Sequence, residues 1–242
     1  MTSSPPSLAQ ASSSSCSTMY IAGIHLSHAQ GVESIVAAST VAAMVSIVRD
    51  QRKTLTKASK EGGDITAGPK SFAGRIVTPI HAVAILSAPV SYLVAVFSNR
   101  MVQPEWYEQT SFDVSLSVGQ LAWTRTAGAV GLLGSAWMMR VVLNHLGKQL
   151  HYIGTREKGE VVSTGPYGVV RHPLYTLALG QFIFASLAYW SWIPLAGLGI
   201  TLGAFAYKIP VEERLIEEDP AMGTAYLEYK QKVPYRVIPY IW

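Results

Sequence analysis

The chain has 242 residues, of which 49% are hydrophobic and only 14% are charged, and its mean hydropathy is +0.25. Soluble domains carry about 25% charged residues, so many positions here need apolar surroundings beyond one globular core. The lone cysteine, Cys16, excludes a disulfide scaffold, and a net charge of +4 on so apolar a chain argues against a nucleic-acid partner. The composition therefore predicts a polytopic membrane protein.

Five segments are candidate membrane spans, because a helix needs about 20 mostly apolar residues to cross the hydrocarbon core of a bilayer. The Ser- and Pro-rich residues 1–17 precede them and are predicted to be a disordered tail. The predicted spans cover residues 30–48, 76–98, 121–143, 174–190 and 192–209. The last two are so close together that they predict a tight helical hairpin. The predicted fold class is all-α, with about five transmembrane helices.

Basic residues predict which side of the membrane each loop occupies, since short loops rich in Lys and Arg stay in the cytosol. The loop after the first span and the loop before the fourth are both basic, whereas the loop between the second and third spans holds Arg100 and several acidic residues. This alternation predicts a lumenal N-terminus. Two long polar segments, 144–173 and 210–242, are then expected on the cytosolic face, together with any chemistry on soluble substrates.

Gly128, Gly131 and Gly134 recur at a spacing of three in the third span. No strand precedes them, so they are interpreted as small residues that let helices approach closely, not as a nucleotide-binding loop. His81, in the second span, is interpreted as structural. The sequence contains no P-loop and no His-Glu-x-x-His pair, and no metal site is predicted.

The segment 165–175 carries several polar side chains where the chain enters the fourth span. Tyr167, Arg171 and His172 are potential hydrogen-bond donors, and Pro173 suits the first turn of a helix, where its missing N–H costs nothing. A helix start with a cation and aromatic hydroxyls suits an anion or a polar ligand head. An interfacial anchor, in which Arg and Tyr mark the headgroup level, explains the same residues equally well.

Two further polar features follow the fifth predicted span. Glu212 and Glu213 are carboxylates beside the bilayer on its positive face, which runs against the electrostatic trend. Either a cationic ligand group or a solvated helix start would explain them. Residues 221–232 predict a short amphipathic helix, and its packing at the interface accounts for Tyr229 but not for Arg236.

At these residues the chain resembles the isoprenylcysteine carboxyl methyltransferases and related membrane-embedded methyltransferases. The resemblance extends from about Leu146 to Trp242. Its motifs are Leu146-Gly147, Val161 to Tyr167, Arg171-His172-Pro173-x-Tyr175, the helical hairpin, Glu212-Glu213-Arg214, Tyr226-x-x-Tyr229 and Val233-Pro234-x-Arg236. The chain departs from the family at Gly159, where relatives often have histidine, and at Thr176-Leu177, which replaces a Tyr-x-Gly continuation.

The resemblance implies that residues 18–143 supply three membrane helices and that residues 144–242 form the catalytic region. A cytosolic loop and tail would bind S-adenosylmethionine there and methylate the carboxylate of a C-terminal prenylated cysteine at the endoplasmic reticulum membrane. Prenylated protein C-termini and the lipid bilayer are the implied partners. The implied cofactor-binding residues are Val162, Gly165, Tyr167, His172, Tyr175, Glu212 and Glu213. The implied catalytic residues are Arg171, Glu213 and Arg236, and the implied substrate-binding residues are Arg171, Tyr229 and Arg236.

Three alternatives stay open beside this reading. A phospholipid amine N-methyltransferase would need a base near the pocket, whereas a carboxylate is already ionised at neutral pH and needs only alignment. An NADPH-dependent sterol reductase relative would share the Arg-His-Pro entry, but the Trp expected in place of Gly165-Pro166-Tyr167 is missing. A scaffold that kept the fold without the activity is supported only by Gly159.

Overall fold

The computed structural model describes residues 18–21 and 24–242, so the predicted tail at 1–17 lies outside the described residues. Most of this part is helical. The helices are α1 (His28–Glu61), α2 (Phe72–Ser98), α3 (Glu105–Glu108), α4 (Val118–Leu146), α5 (Pro173–Tyr189), α6 (Ile193–Glu217) and α7 (Gly223–Lys232). Two short antiparallel strand pairs accompany them, β1 (Thr18–Ile21) with β2 (Ile24–Ser27) and β3 (Ile65–Ala67) with β4 (Thr155–Arg156).

Four of these helices, α1, α2, α4 and α6, are long and apolar enough to cross a membrane by length and composition. The fifth apolar helix, α5, has only 17 residues. The predicted all-α polytopic fold is therefore confirmed. The strand pairs are too short to show an alternating pattern of hydrophobicity in the sequence, and they were not predicted.

Two helices continue beyond the predicted spans. α1 passes residue 48 and ends at Glu61, and α6 passes residue 209 and ends at Glu217, although Pro210 lies inside it. Hydropathy marks only the apolar part of a helix, whereas the backbone hydrogen bonds continue into polar sequence. Glu212 and Glu213 consequently lie within α6, not after it as the span boundary predicted.

α5 and α6 form the predicted tight hairpin. α5 ends at Tyr189, and Trp190 reverses the chain in the left-handed conformation (φ 53°, ψ 50°). Ile193 begins α6, with Pro194 in its first turn. Because the two helices run antiparallel, the start of α5 lies beside the end of α6.

α4 packs closely on α5 through part of the predicted glycine stripe. A Cβ at Gly128 would collide with the backbone of Ala188, and a Cβ at Gly131 would collide with the ring of Phe184. A Cβ at Gly134 would meet nothing within 4 Å. The prediction of close helix approach is confirmed for the first two glycines and is wrong for the third.

A buried ion pair joins the starts of α1 and α4. Arg125 donates from Nη1 and Nη2 to the two carboxylate oxygens of Glu33, at 2.6 and 2.7 Å. Tyr92 of α2 donates to the same carboxylate at 2.6 Å, and Arg125 Nε donates to the carbonyl of Ala188 on α5 at 2.9 Å. The carboxylate is therefore both paired and hydrogen-bonded, as a buried charge must be.

The opposite end of the bundle carries the long connection between α4 and α5. β3 pairs with β4, and the buried Arg156 donates to the carbonyls of Leu150 (2.9 Å) and Gly63 (2.8 Å), which fastens this connection to the end of α1. Residues 147–172, α7 and residues 233–242 together form what we call the loop-and-tail end.

Candidate functional site

A cavity of about 240 Å³ opens at the loop-and-tail end. Its walls come from all the long helices, from α7 and from the connection between α4 and α5. The polar side chains that line it include His151, Tyr167, His172, Tyr175, Lys208 and Glu212. Across residues 18–21 and 24–242, no group of three or more His, Cys, Asp or Glu is arranged to hold a metal ion.

The tail at residues 233–242 runs along the start of α5 and is held there by backbone hydrogen bonds. The N–H groups of Arg171 and His172 donate to the carbonyls of Tyr235 (2.9 Å) and Arg236 (2.8 Å). Pro173 then opens α5, in the position that the sequence predicted for it. These bonds fix two of the implied site residues beside the cavity.

Glu213 is the centre of a charged cluster behind the cavity wall. Its side chain is 2% exposed, and its two oxygens accept from Arg171 Nε at 2.8 Å and from Arg236 Nε at 3.2 Å. Arg171 Nη1 also donates to the carbonyls of Val233 and Pro234, both at 2.7 Å. Because every charge here has a partner, the cluster braces the tail against α5 and α6.

Glu212, the preceding residue of α6, lines the cavity itself. Tyr175 donates its hydroxyl to Glu212 Oε2 at 2.7 Å, and Glu212 Oε1 lies 4.0 Å from Nδ1 of His151. The ring of His172 stacks on Tyr175 with centroids 5.3 Å apart, and its Nε2 lies 3.3 Å from Glu213 Oε1. The two adjacent carboxylates thus differ. Glu213 is neutralised within the charged cluster, whereas Glu212 presents an oxygen to the cavity.

His151 brings a neutral imidazole to the cavity. Burial lowers the pKa of its ring below the ordinary value of 6.5, and the positive charges of Arg156 and Lys208 also lower it, although Glu212 acts in the opposite direction. Its Nδ1 is buried and has no hydrogen-bond partner within the described part of the chain. A neutral ring nitrogen of this kind is able to hydrogen-bond a ligand or to take up a proton.

Three tyrosines form an aromatic wall on the side of α7. Tyr229 donates its hydroxyl to the carbonyl of Tyr167 at 2.6 Å, and the rings of Tyr226 and Tyr229 lie 5.7 Å apart. Burial raises the pKa of all three hydroxyls above the ordinary value of 10.0. They are therefore neutral at physiological pH and offer ring faces and hydrogen bonds to a ligand.

Most of the residues implied by the sequence come together at this cavity. Those that line it are Val162, Tyr167, Arg171, His172, Tyr175, Glu212 and Tyr229. Glu213 and Arg236 lie behind the wall in the charged cluster, where the Arg236 side chain is 34% exposed. Gly165 forms a turn with φ +59° against the ring of His145 and does not line the cavity.

Sequence reasoning missed several polar residues of the cavity wall, among them His81, Lys208 and His151. His81, interpreted as structural, contacts the carbonyl of Val77 at 3.0 Å but also lines the cavity. Lys208 had a usable signal, because a lone lysine inside an apolar helix is a functional candidate by default. His151 lies in an irregular connection with no pattern around it.

Both departures from the family pattern have a local explanation. The side chain of Met222 occupies the space where a side chain at Gly159 would begin, and Met222 lines the cavity. Thr176 donates its hydroxyl to the carbonyl of Val237 at 2.6 Å, while Leu177 packs in the apolar cluster between α1 and α4. The residues that this chain has at position 159 and at positions 176–177 therefore fit the packing around them.

An apolar groove of about 100 Å³ continues the cavity into the membrane-spanning part. It lies between α1, α2, α4 and α5. The residues that line both the cavity and the groove are Ile47, Ile85, Ala178 and Gln181. The groove therefore adjoins the cavity, and a molecule with a polar end and an apolar tail would find surroundings of both kinds next to each other.

A family model described as phospholipid methyltransferase matches residues 123–226. The matched segment includes the α5–α6 hairpin, Glu212 and Glu213, and it ends before Arg236. No curated protein matches the chain. Because this family of membrane methyltransferases is related to the isoprenylcysteine carboxyl methyltransferases, the match supports a membrane methyltransferase, with S-adenosylmethionine as the implied methyl donor, and leaves the acceptor open.

Proposed function

We propose that this protein transfers a methyl group from S-adenosylmethionine to the C-terminal carboxylate of a prenylated cysteine. The cavity, whose wall carries several polar side chains, adjoins the apolar groove, and this adjacency supports the proposal most directly, because the acceptor has a polar end and a long apolar tail. Each CH₂ of a lipid chain gains about 0.8 kcal/mol on burial, which draws the prenyl tail into the bilayer and the groove. The carboxylate would then lie at the cavity.

The polar wall of the cavity fits S-adenosylmethionine, which supplies a methyl group on a cationic sulfonium. The carboxylate of Glu212 suits the ammonium or ribose hydroxyls of this molecule, and the imidazole of His151, which lines the same wall, offers a further polar contact. The ring of Tyr167 offers an aromatic face to a base or a cation. The ring of Tyr175 stacks on His172 and on Phe205, so its part is to hold Glu212 through the hydroxyl. Val162 and His172, which also line the cavity, are the other proposed cofactor-binding residues. Gly165 and Glu213, which the resemblance also implied, lie outside the lining and are not proposed as contacts of the cofactor.

A carboxylate acceptor requires little acid–base chemistry from the protein. The pKa of an α-carboxyl group lies well below neutral pH, so the attacking oxygen is ionised without a base. A new O–C bond replaces the C–S bond, the electron pair stays on sulfur, and no proton is released. The chain contributes alignment and the exclusion of water, which favours a reaction in which opposite charges cancel.

Arg171, Glu213 and Arg236 act as one unit in this proposal. Arg171 lines the cavity, and its Nη2, unlike Nε and Nη1, makes no hydrogen bond to any described residue. This nitrogen is the proposed contact for a carboxylate of the substrate or the cofactor. Glu213 and Arg236 hold the guanidinium in place from behind, and Tyr229 is the proposed aromatic contact for the substrate.

The proposal includes the endoplasmic reticulum membrane, with the cavity facing the cytosol. The basic residues of α1 beyond residue 48 and those of residues 147–172 lie at the loop-and-tail end, which is the distribution typical of a cytosolic face. Residues 144–242 are the proposed catalytic region. Gln51 and His81, from the first two helices, also line its cavity.

A phospholipid amine N-methyltransferase is the second candidate, and one specific observation favours it. A protonated amine must lose a proton before it attacks, so this reaction needs a base beside the cavity. His151, whose imidazole lines the cavity and has a lowered pKa, meets that requirement. The description of the matched family points to the same class of acceptor.

Methyl transfer from radiolabelled S-adenosylmethionine, in membranes that contain the protein, separates the two candidates. With N-acetyl-S-farnesylcysteine we expect label that base releases, because the product is a methyl ester. Base-stable label on phosphatidylethanolamine would instead establish N-methylation. Glu212→Gln keeps the shape of the side chain and removes its charge, so we expect a loss of at least about tenfold in transfer.

Negative results in this assay are also informative. NADPH oxidation with a sterol, in the absence of methyl transfer, would identify the reductase alternative. If neither acceptor is labelled and no NADPH is consumed, both proposed acceptors and the reductase alternative are contradicted. Full transfer by Glu212→Gln would remove Glu212 from the proposed site.

A further inference from the structure

Lys208 carries a buried amino group for which the described chain supplies no counter-ion in contact. The residue is 2% exposed and lies on α6 one turn before Glu212. Within residues 18–21 and 24–242, no carboxylate oxygen lies within 4.0 Å of its Nζ, and Nζ makes no hydrogen bond. The ring of Tyr175, with its centroid 5.1 Å from Nζ, and the negative charge of Glu212, beyond 4.0 Å, both act on this group. An ammonium has three donors, and it is costly to bury them without acceptors.

Lys208 lies in the part of the cavity wall that is nearest the apolar groove. Ile85 and Ala178 mark the neck, which we define as the place where the cavity meets the apolar groove. Lys208 lines the cavity beside Phe205, on the bilayer side of Glu212 by one helical turn, or about 5.4 Å. Tyr175 stacks on Phe205 with centroids 4.2 Å apart, which gives this part of the wall a fixed aromatic surface. A ligand that contacts Lys208 therefore has its polar end in the cavity and room for an apolar tail in the groove.

We propose that Lys208 binds the anionic group of the membrane-derived acceptor, through a carboxylate or phosphate oxygen, at the neck. This inference rests on the proposed function, because it assigns the residue that recognises the acceptor of that reaction. Prenylcysteine carries a carboxylate and a phospholipid carries a phosphate, so both candidate acceptors present the chemistry that an ammonium binds. Lys208 then selects acidic amphiphiles over neutral ones with the same tail.

The cofactor is a poorer partner for this lysine. A carboxylate of the cofactor already has Arg171 Nη2 available at the loop-and-tail end. Tyr175 is the proposed cofactor residue that Lys208 contacts, but Lys208 lies one turn of α6 from Glu212, toward Phe205. Phe205 packs in one apolar cluster with Ala178 and Ile85, which are shared with the groove, so an acceptor with its tail in the groove would bring its polar end to this side of the cavity.

Ligand binding to the purified full chain in detergent tests this assignment without relying on turnover. The first pair of probes is N-acetyl-S-farnesylcysteine and its carboxamide, which share a tail and differ in charge. The second pair is dodecyl phosphate and dodecanol. We expect the wild-type protein to bind the acid at least about tenfold more tightly than its neutral partner in one pair, a difference of about 1.4 kcal/mol. A preference in the first pair identifies a prenylcysteine source, and a preference in the second identifies a phospholipid source.

Variants at position 208 separate charge from packing. Lys208→Met keeps the length of the side chain, and we expect it to lose the preference for the acid while its affinity for the neutral partner stays within about twofold. Lys208→Arg retains the charge and is expected to keep most of the preference. Lys232→Met is the matched control, because this exposed lysine at the end of α7 lies outside the cavity. If Lys208→Met does not yield folded protein, Lys208→Gln takes its place.

Three results would overturn the assignment. They are equal binding of acid and neutral probes by the wild type, an unchanged preference in Lys208→Met, and a tenfold loss of S-adenosylmethionine affinity in that variant. The last result would show that Lys208 binds the cofactor and not the acceptor. A wild-type protein that prefers the acid but methylates no acceptor would contradict the proposed function and leave the Lys208 site intact.

Discussion

Glu213 has four cationic or ionisable nitrogen groups within 4 Å of its carboxylate. Arg171 lies at 2.8 Å, Arg236 at 3.1 Å, His172 at 3.3 Å and Lys230 at 3.8 Å. No ligand is needed to balance this carboxylate, and its removal would leave buried cations unpaired. At the residue scale it therefore behaves as the anchor of the tail, while contact with ligands falls to the residues that line the cavity.

The lowered pKa of His151 makes the stability of the fold depend on pH. Below pH 6.5 the unfolded chain takes up a proton at this ring more readily than the folded protein does. The contribution of His151 to stability therefore falls as the pH drops from about 6.5 through its lower folded pKa. We expect the fall in Tm of the detergent-solubilised protein between pH 7.5 and pH 5.5 to be smaller in His151→Asn than in the wild type.

His28→Asn is the control for this pH series, because His28 lies at the start of α1, away from the cavity. It is expected to keep the wild-type dependence on pH. Equal falls in Tm for wild type and His151→Asn would show that His151 is not held neutral by burial.

At the scale of elements, the contact of α4 with α5 depends on two glycines of the stripe. The nearest obstacle to a Cβ at Gly128 is backbone, which does not rotate away, so overpacking by Gly128→Ala is expected to cost about 1–3 kcal/mol. Gly134 has open space and lies in the same helix, so Gly134→Ala is expected to be neutral or to stabilise α4 by up to about 1 kcal/mol. Thermal unfolding of both variants in one detergent checks the difference, and equal Tm values would contradict the close contact.

Much of the fold was predictable element by element. Long apolar runs and the few residues between α5 and α6 predicted the membrane helices and the hairpin, because the bilayer demands both length and apolarity. The end of α6 was not predictable, since hydropathy falls at Pro210 while the helix continues. β3 and β4 were also missed, because they pair across 87 or more intervening residues.

The candidate site was predictable only in part, for a similar reason. Short sequence motifs predicted Arg171, Tyr175 and Glu212 as site residues, because each lies in a recognisable local pattern. The different surroundings of Glu212 and Glu213 depend on groups that approach from other elements, such as His151, which lies 61 positions away from Glu212 along the chain. Such partners carry no local signature, so the sequence assigned both carboxylates to the cofactor.

At the scale of the whole molecule, charged clusters hold the bundle at both of its ends. The brace around Glu213 fixes the loop-and-tail end, and the pair of Glu33 with Arg125 fixes the other end. Tyr92, which donates to Glu33, stacks on Tyr189 with centroids 4.1 Å apart, and Tyr189 also lines the groove. A chain of contacts from Glu33 through Tyr92 to Tyr189 therefore links the far end of the bundle to the wall of the groove.

Breaking the pair of Glu33 and Arg125 is expected to destabilise the whole bundle. Glu33→Gln leaves the buried Arg125 without a counter-charge, which costs about 3–5 kcal/mol. The double variant Glu33→Gln/Arg125→Gln removes both charges, and we expect it to recover part of that loss. Thermal unfolding of the two single variants and the double variant forms the cycle, and strictly additive losses would contradict the coupling.

The short length of α5 has a consequence for the membrane around the protein. Its 17 residues span about 25 Å, whereas a typical hydrocarbon core is about 30 Å thick. Such a hydrophobic mismatch is relieved by local thinning of the bilayer, at fractions of a kcal/mol for each ångström. Thin membranes therefore suit this protein better than thick ones, and the lipid headgroups beside α5 lie closer to the neck than the bilayer average would bring them.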